Sequence, residues 1–212
     1  MERTRRRLLS AVGTAGAAAT AGCLGLGIFG PSLPNCSGEQ ITDVAAPTRG
    51  DDDAPVRVEV FSDFACPHCQ TFAEEAAPRI DDLVSSGDVL YVHRDFPVPV
   101  SGRSFPVANA ARAVAYHADD VAFWDYYDRL FANQGAFGID QLADHAAAVG
   151  APADRVRAAV EDLPFCEAVK SDRSAGSDRG VEGTPTAFVA GERYGGPDAD
   201  EFEAAVREAV EG

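Results

Sequence analysis

The chain has 212 residues, with 34 acidic against 18 basic side chains and a formal net charge of −16 at neutral pH. Such a surface repels phosphate backbones and anionic lipid headgroups, which excludes nucleic acid and acidic membranes as natural binding partners. Seventeen of the 18 cations are arginine and Lys170 is the only lysine, a balance that suits concentrated salt.

Residues 1–22 read as an address. Arg3, Arg5, Arg6 and Arg7 precede an uncharged, mildly apolar run rich in Ala, Gly and Thr, the order that marks an export signal. The pair Arg5-Arg6 with Leu8-Leu9 behind it resembles a twin-arginine signal. Thr20-Ala21-Gly22-Cys23 resembles a lipobox, in which Cys23 would be lipidated and become the first mature residue. Thr20 stands where leucine is usual, so simple cleavage and a retained anchor stay open. Each outcome puts the domain on the outer face of the membrane, where disulfides persist. Residues 23–54, with Gly25, Gly27, Gly30, Pro31, Pro34, Pro47 and Asp51-Asp52-Asp53, carry no periodic apolar pattern. They are expected to form a flexible tether.

The folded domain is expected over 55–212. Val56, Val58 and Val60 alternate as in a strand. A helix follows from the CPHC turn to about Ser86, kinked at Pro78. Gly87-Asp88 is a turn, and 89–96 (VLYVHRDF) a second strand. Strand, helix and strand predict a parallel pair with a right-handed crossover. Helices are expected over Ala108–His117, through FWDYYDRLF, over Ile139–Val149 and over Ala153–Leu163, a helical insertion at about 104–175. Strands return at Thr186–Ala190 and up to Gly195, and a last helix carries Phe202, Ala205, Val206 and Val210. The order predicts an α/β sheet with an inserted all-helical lobe.

Cys66 and Cys69 stand at i and i+3, on one side of a helix's first turn and within disulfide reach. Cys66 lies where backbone N–H groups are unpaired and the helix dipole favours an anion, so it is the expected thiolate. Pro67 fixes φ where its missing N–H costs nothing. His68 is expected to add a donor or a positive charge beside the sulfur. Cys69, one turn further in, should be the more buried thiol. Zinc would need four ligands, and no second CxxC stands at matching spacing. Redox chemistry is the leading reading, with a metal site or two inert thiols as rivals.

Gly183-Thr184-Pro185-Thr186 precedes the strand AFVA, and a proline there marks an edge or a tight, cis-compatible turn. With CPHC upstream, these residues resemble the thioredoxin superfamily, and within it the DsbA-like disulfide oxidoreductases, exported haloarchaeal members in particular. The match is carried by Phe61-Ser62-Asp63-Phe64, Cys66-Pro67-His68-Cys69, FWDYYDRLFANQ and Val181-Glu182-Gly183-Thr184-Pro185-Thr186. The resemblance implies a thioredoxin fold with a helical insertion and a cis Pro185 facing the active cysteines. It also implies that the Thr184 backbone pairs with an extended substrate peptide. It implies dithiol oxidation of exported proteins with free thiols, and reoxidation by a quinone-linked membrane partner. A buried acid beneath the active pair is a further family feature, for which Glu59 is a candidate or else a solvated side chain.

Five cysteines leave Cys36 and Cys166 once Cys23, Cys66 and Cys69 are assigned; in an oxidising compartment the two are expected to pair, with separate thiols or an intermolecular bond as alternatives. His93, His117 and His145 read as structural or surface groups. No cofactor and no resident metal are expected, and the protein should be a monomer. The same motif run backwards would serve a reductase or isomerase, and a tethered Cu(I) or Zn carrier is the rival from another class.

Overall fold

The computed structural model describes residues 33–98, 101–194 and 198–212; the expected export signal and Cys23 lie outside the described residues. Strands β1 (Thr48–Arg49), β2 (Val56–Ser62), β3 (Val89–Asp95), β4 (Thr186–Val189) and β5 (Glu192–Tyr194) form one sheet in the order β1-β3-β2-β4-β5. β2 and β3 are parallel, as the intervening helical run requires, and β4 returns antiparallel to β2 with Phe61 opposite Thr186. This central pairing brings the end of β2, which leads into CPHC, beside the start of β4, which follows Pro185.

The helical run after β2 is not one regular helix. It comprises α1 (Pro67–Thr71), a π-helical turn over Phe72–Ala76, a 3-10 turn over Ala77–Ile80 and α2 (Asp81–Ser86). Pro78 has no N–H to give to an α-helical ladder, and the tighter turn around it absorbs the defect. α2 ends at Gly87, whose φ of +85° is the left-handed conformation that closes a helix. Phe72, Ala76 and Ile80 pack with Val56, Val58 and Val60 and with Phe202 and Val206 of α8 (Ala199–Glu211) to form the core on one sheet face.

Among the described residues five helices lie between β3 and β4: α3 (Ser104–His117), α4 (Asp120–Ala132), α5 (Ile139–Ala148), α6 (Ala153–Asp162) and α7 (Cys166–Asp178). The first four correspond to expected helices, with α3 starting four residues earlier than its alanine-rich core suggests. The helical insertion expected to about residue 175 takes in most of α7, although no separate helix was expected there. The buried face of α7 is Cys166, Val169, Asp172 and Gly176, so only one aliphatic side chain marks the helical period. α7 packs so closely on the second sheet face that a Cβ on Gly176 would sit 2.8 Å from the Phe61 ring.

The flexible tether expected over 23–54 is corrected by the structure: from Leu33 onward the chain lies on the domain. Cys36 is joined to Cys166 by a disulfide, and Ile41 N–H donates to the Pro164 carbonyl at 2.8 Å. Ile41 and Val44 pack against the helical core, and β1 adds an edge to the sheet beside β3. The Trp124 indole N–H donates to the Thr48 carbonyl. These contacts are non-local, which is why composition alone read the segment as a leash.

Beneath this strap lies a buried ionic layer. The Arg112 guanidinium, 2% exposed, donates to Asp95 at 2.6 Å, to Asp172 of α7 and to the Ala45 carbonyl of the strap. His93 Nε2 stands 3.2 Å from Asp95. Burial alone would raise the Asp95 carboxyl, but Arg112 and His93 overcome it and hold it at about 2. The depressed value makes this contribution to stability complete above pH ~4 and lost as pH falls toward 2. Replacing Arg112 with leucine leaves Asp95 buried with only His93 beside it and takes from Asp172 one of its two guanidinium partners, the other being Arg94. Urea unfolding at neutral pH should show a loss of about 3–5 kcal/mol; a loss below ~1 kcal/mol would contradict a shared role for the layer.

Candidate functional site

Cys66 is the residue at which α1 begins. Its backbone is extended (φ −89°, ψ 122°) and its carbonyl accepts the first helical hydrogen bonds, from Cys69 and Gln70 N–H. The sequence folds this way because Pro67 has φ preset for a helix start and no N–H to strand there. The Cys66 N–H donates to the Asp63 carbonyl, which closes the turn between strand and helix.

The two thiols lie together, both free, with Cys66 6% and Cys69 1% exposed. A hydrogen bond from Cys69 favours the Cys66 anion most strongly. Burial opposes that preference, and Thr184 with the backbone N–H groups of Cys69 and His68 add to it, bringing Cys66 down to about 5. Cys69 moves the other way. Burial pushes it well above an ordinary thiol, and so does the anion it serves on Cys66. One thiol is thus set to carry charge and the other to carry the proton.

The Thr184–Pro185 peptide bond is cis, and the Cys66 sulfur lies 3.4 Å from the Thr184 carbonyl oxygen. Thr184 and Pro185 themselves are half-buried, so this loop meets solvent beside the sulfur. The structure therefore brings Cys66, Pro67, Cys69, Thr184 and Pro185 into one place from two segments about 115 residues apart. The His68 ring is exposed and makes no hydrogen bond among the described residues; what His68 gives the sulfur is its backbone N–H.

Glu59 stands elsewhere. Its carboxylate pairs with Arg94 and Arg179 and lies near Arg57, on the face of β2 that α7 covers. The buried acid of the redox turn is Asp63. It is 2% exposed and has no cation partner among the described residues. Its two oxygens accept from Ala65 N–H and Val98 N–H, both at 2.8 Å, while its own N–H points at the Cys69 sulfur at 3.4 Å. Burial pushes its carboxyl up to about 6, and the Cys66 charge pushes the same way. In the sequence Asp63 stands out only as part of the matching string Phe61-Ser62-Asp63-Phe64; its burial depends on Val98 and Ser104 coming to lie against it. Cys36 and Cys166 are remote from this site in sequence and fasten the strap. His93 is buried among Phe64, Phe123 and Tyr127, whereas His117 is exposed and His145 half-buried on the helical lobe.

A metal would need more than two thiols, and among the described residues no cluster of three or more His, Cys, Asp or Glu surrounds them. The opposite displacement of the two thiols suits thiol–disulfide exchange, in which one sulfur carries charge and the other the proton. Because a thiolate repels Asp63, the Asp63 carboxyl should titrate near pH 6 in the dithiol form and lower once Cys66 and Cys69 are joined. Carbon-detected NMR of the side-chain carboxyl tests this; the same midpoint near 4 in both forms would contradict it.

Comparison with known proteins agrees with this geometry. The sequence model of the family described as thioredoxin matches residues 42–208. The probable disulfide bond formation protein D of Bacillus cereus is 30% identical over 166 residues, covering 74% of this chain and 75% of that protein. A Na(+)/H(+) antiporter NhaA 3 of Salinispora tropica is 34% identical over 151 residues, 70% of this chain, but the chain spans only 22% of the antiporter's length. The crystal structure of oxidised BdbD from Bacillus subtilis superposes with a TM-score of 0.73 at 24% identity, over 82% of this chain and all of that one. With its sheet order, its cis-proline loop and its paired cysteines at a helix start, the chain belongs to the thioredoxin family.

Proposed function

We propose that the protein is an exported dithiol oxidase that passes the Cys66–Cys69 disulfide to proteins with free thiols. The observation that carries the reading is the split between the two sulfurs: Cys66 held as an anion at about 5, Cys69 held protonated. An anion that is comfortable in the dithiol form makes the disulfide form eager to be reduced. At pH 7 a thiolate of that acidity favours the dithiol by at most about 3 kcal/mol, which corresponds to a potential some 60 mV higher.

The reaction runs in two exchanges. A substrate thiolate attacks the Cys66 sulfur, the Cys66–Cys69 bond breaks, and Cys69 leaves and takes a proton. The product is a mixed disulfide between substrate and Cys66. A second substrate thiolate then attacks the substrate sulfur of that bond, and Cys66 departs as the thiolate. Two electrons have moved from substrate to protein. Exposure supports the assignment, since the Cys66 sulfur borders the solvent-facing Thr184-Pro185 loop and Cys69 lies behind it. The loop's half-exposed backbone would seat an extended substrate peptide as an added strand.

Reoxidation needs an electron acceptor, and a quinone-linked membrane protein is the partner class implied by the family. A twin-arginine signal and a lipid on Cys23 would keep the domain within reach of it; the Cys36–Cys166 disulfide supports an oxidising compartment. Among the described residues no helix is long and apolar enough to cross a membrane. The acidic, lysine-poor composition supports a salty one. The disulfide bond formation protein of Bacillus cereus, named for that activity, supports the same direction of electron flow.

Two experiments test the proposal. With Cys69→Ser, the Cys66 thiolate should attack a disulfide-bonded client, release one client sulfur as its thiolate and stay joined to the other because Cys69 is no longer there to displace it, whereas Cys66→Ser should trap nothing and abolish oxidation of a reduced client. Equilibration against glutathione should give a potential well above thioredoxin's, about −270 mV; a value near that figure would instead favour a reductase.

A further inference from the structure

The helix FWDYYDRLFANQ marks the family resemblance, yet none of its residues belongs to the sulfur chemistry described above. Its last residue, Gln134, follows the end of α4 and reaches across to the redox turn. The Gln134 side-chain amide donates to the Phe64 carbonyl and to the Cys66 carbonyl, each at 2.9 Å. These are the two backbone oxygens that bracket Ala65 immediately before the helix starts. The amide has two hydrogens, and each has its own acceptor.

A second amide bond runs in the opposite direction. Gln70 of α1 donates to the Phe131 carbonyl at 2.9 Å, near the end of α4. Phe64 meanwhile packs its ring on Phe131 and Tyr127, with centroids 5.2 and 5.7 Å away. The helical lobe thus holds the redox turn by apolar packing on Phe64 and by two amide bridges, and of those two bridges Gln134's is the one that reaches the peptide units next to the nucleophile.

We infer that Gln134 is a positioning residue, which from the end of α4 fixes the peptide planes of residues 64–66 and so aims the N–H groups of the helix start at the Cys66 sulfur. The inference rests on the oxidase reading of this site. Its physical basis is directional. Backbone N–H groups stabilise an anion only when they point at it, and the Cys66–Pro67 unit, which has no N–H of its own, sets the direction in which the next two, those of His68 and Cys69, enter the helix. Without Gln134, the Cys66 carbonyl keeps its two helical donors but loses the bond that ties it to the lobe. A charge-stabilising arrangement would then relax into several orientations.

Gln134→Met keeps length and volume and removes both donated bonds. It should raise the Cys66 titration midpoint by about one unit, a tenfold loss of thiolate preference, and lower the reduction potential by about 30 mV. Gln134→Asn, which keeps an amide on a shorter arm, should shift both in the same direction by less and guards against a misfolded first variant. Gln70→Met removes the opposite bridge; it should destabilise the lobe to a comparable extent in urea while leaving the midpoint within a few tenths. Equal shifts for the Gln70 and Gln134 variants, or a change in stability with midpoint and potential unmoved, would overturn the inference and leave Gln134 a structural tie. Failure of the oxidase reading shows separately, in the wild-type protein: an ordinary Cys66 midpoint there overturns both.

Discussion

A sulfur anion held at the first turn of a helix organises this molecule. The anion is worth something only where water is scarce and donors are fixed, and both conditions are met at Cys66. Pro67 starts the helix without leaving a stray donor, and the N–H groups of His68 and Cys69 face the sulfur. Cys69 supplies the largest favourable contact and in return is pushed toward the protonated state. The asymmetry follows from position alone: two identical side chains, three residues apart, differ because one ends a loop and the other is inside the fold. In concentrated salt the Debye length shrinks to about 3 Å, so contacts this close are the ones that would keep acting on the charge.

The scaffold exists to keep those donors still. β2 and β4 bring the CPHC turn and the cis-proline loop together by antiparallel pairing. The buried layer of Arg112, Asp95, Asp172 and His93 joins β3, α3 and α7, and the strap from Leu33 to Gly50 closes over it. The Cys36–Cys166 disulfide fastens that strap to α7. One disulfide thus lies outside the Cys66–Cys69 pair, in a different part of the fold.

Local chemistry was legible in the sequence, whereas long-range geometry was not. CPHC announced itself because spacing, proline and helix start all act within four residues. β2, β3 and the parallel crossover followed from valine alternation and helix length. α7 was silent because its inner face is built from Asp172 and Gly176, one chosen for Arg112 and the other for the space left by Phe61 and Phe96. β1 is two residues long, too short for any period, and the strap's role lies in carbonyls that accept from Arg112, Trp124 and the His93 N–H. The acid of the site was sought at Glu59, whose arginines sit on the other face of the sheet; Asp63 becomes buried only when the loop at Val98 reaches it. Gln134 was visible as a letter in a motif, and its task appears only once α4 is docked.

The central claim is that Cys66 ionises far below a free thiol because backbone donors and Cys69 point at it. Ultraviolet titration of the reduced protein near 240 nm follows the thiolate directly, with Cys66→Ser as the blank. The account predicts one transition with a midpoint at about 5, absent in that variant. A single transition near pH 8.5, the value of an unperturbed cysteine, would contradict it.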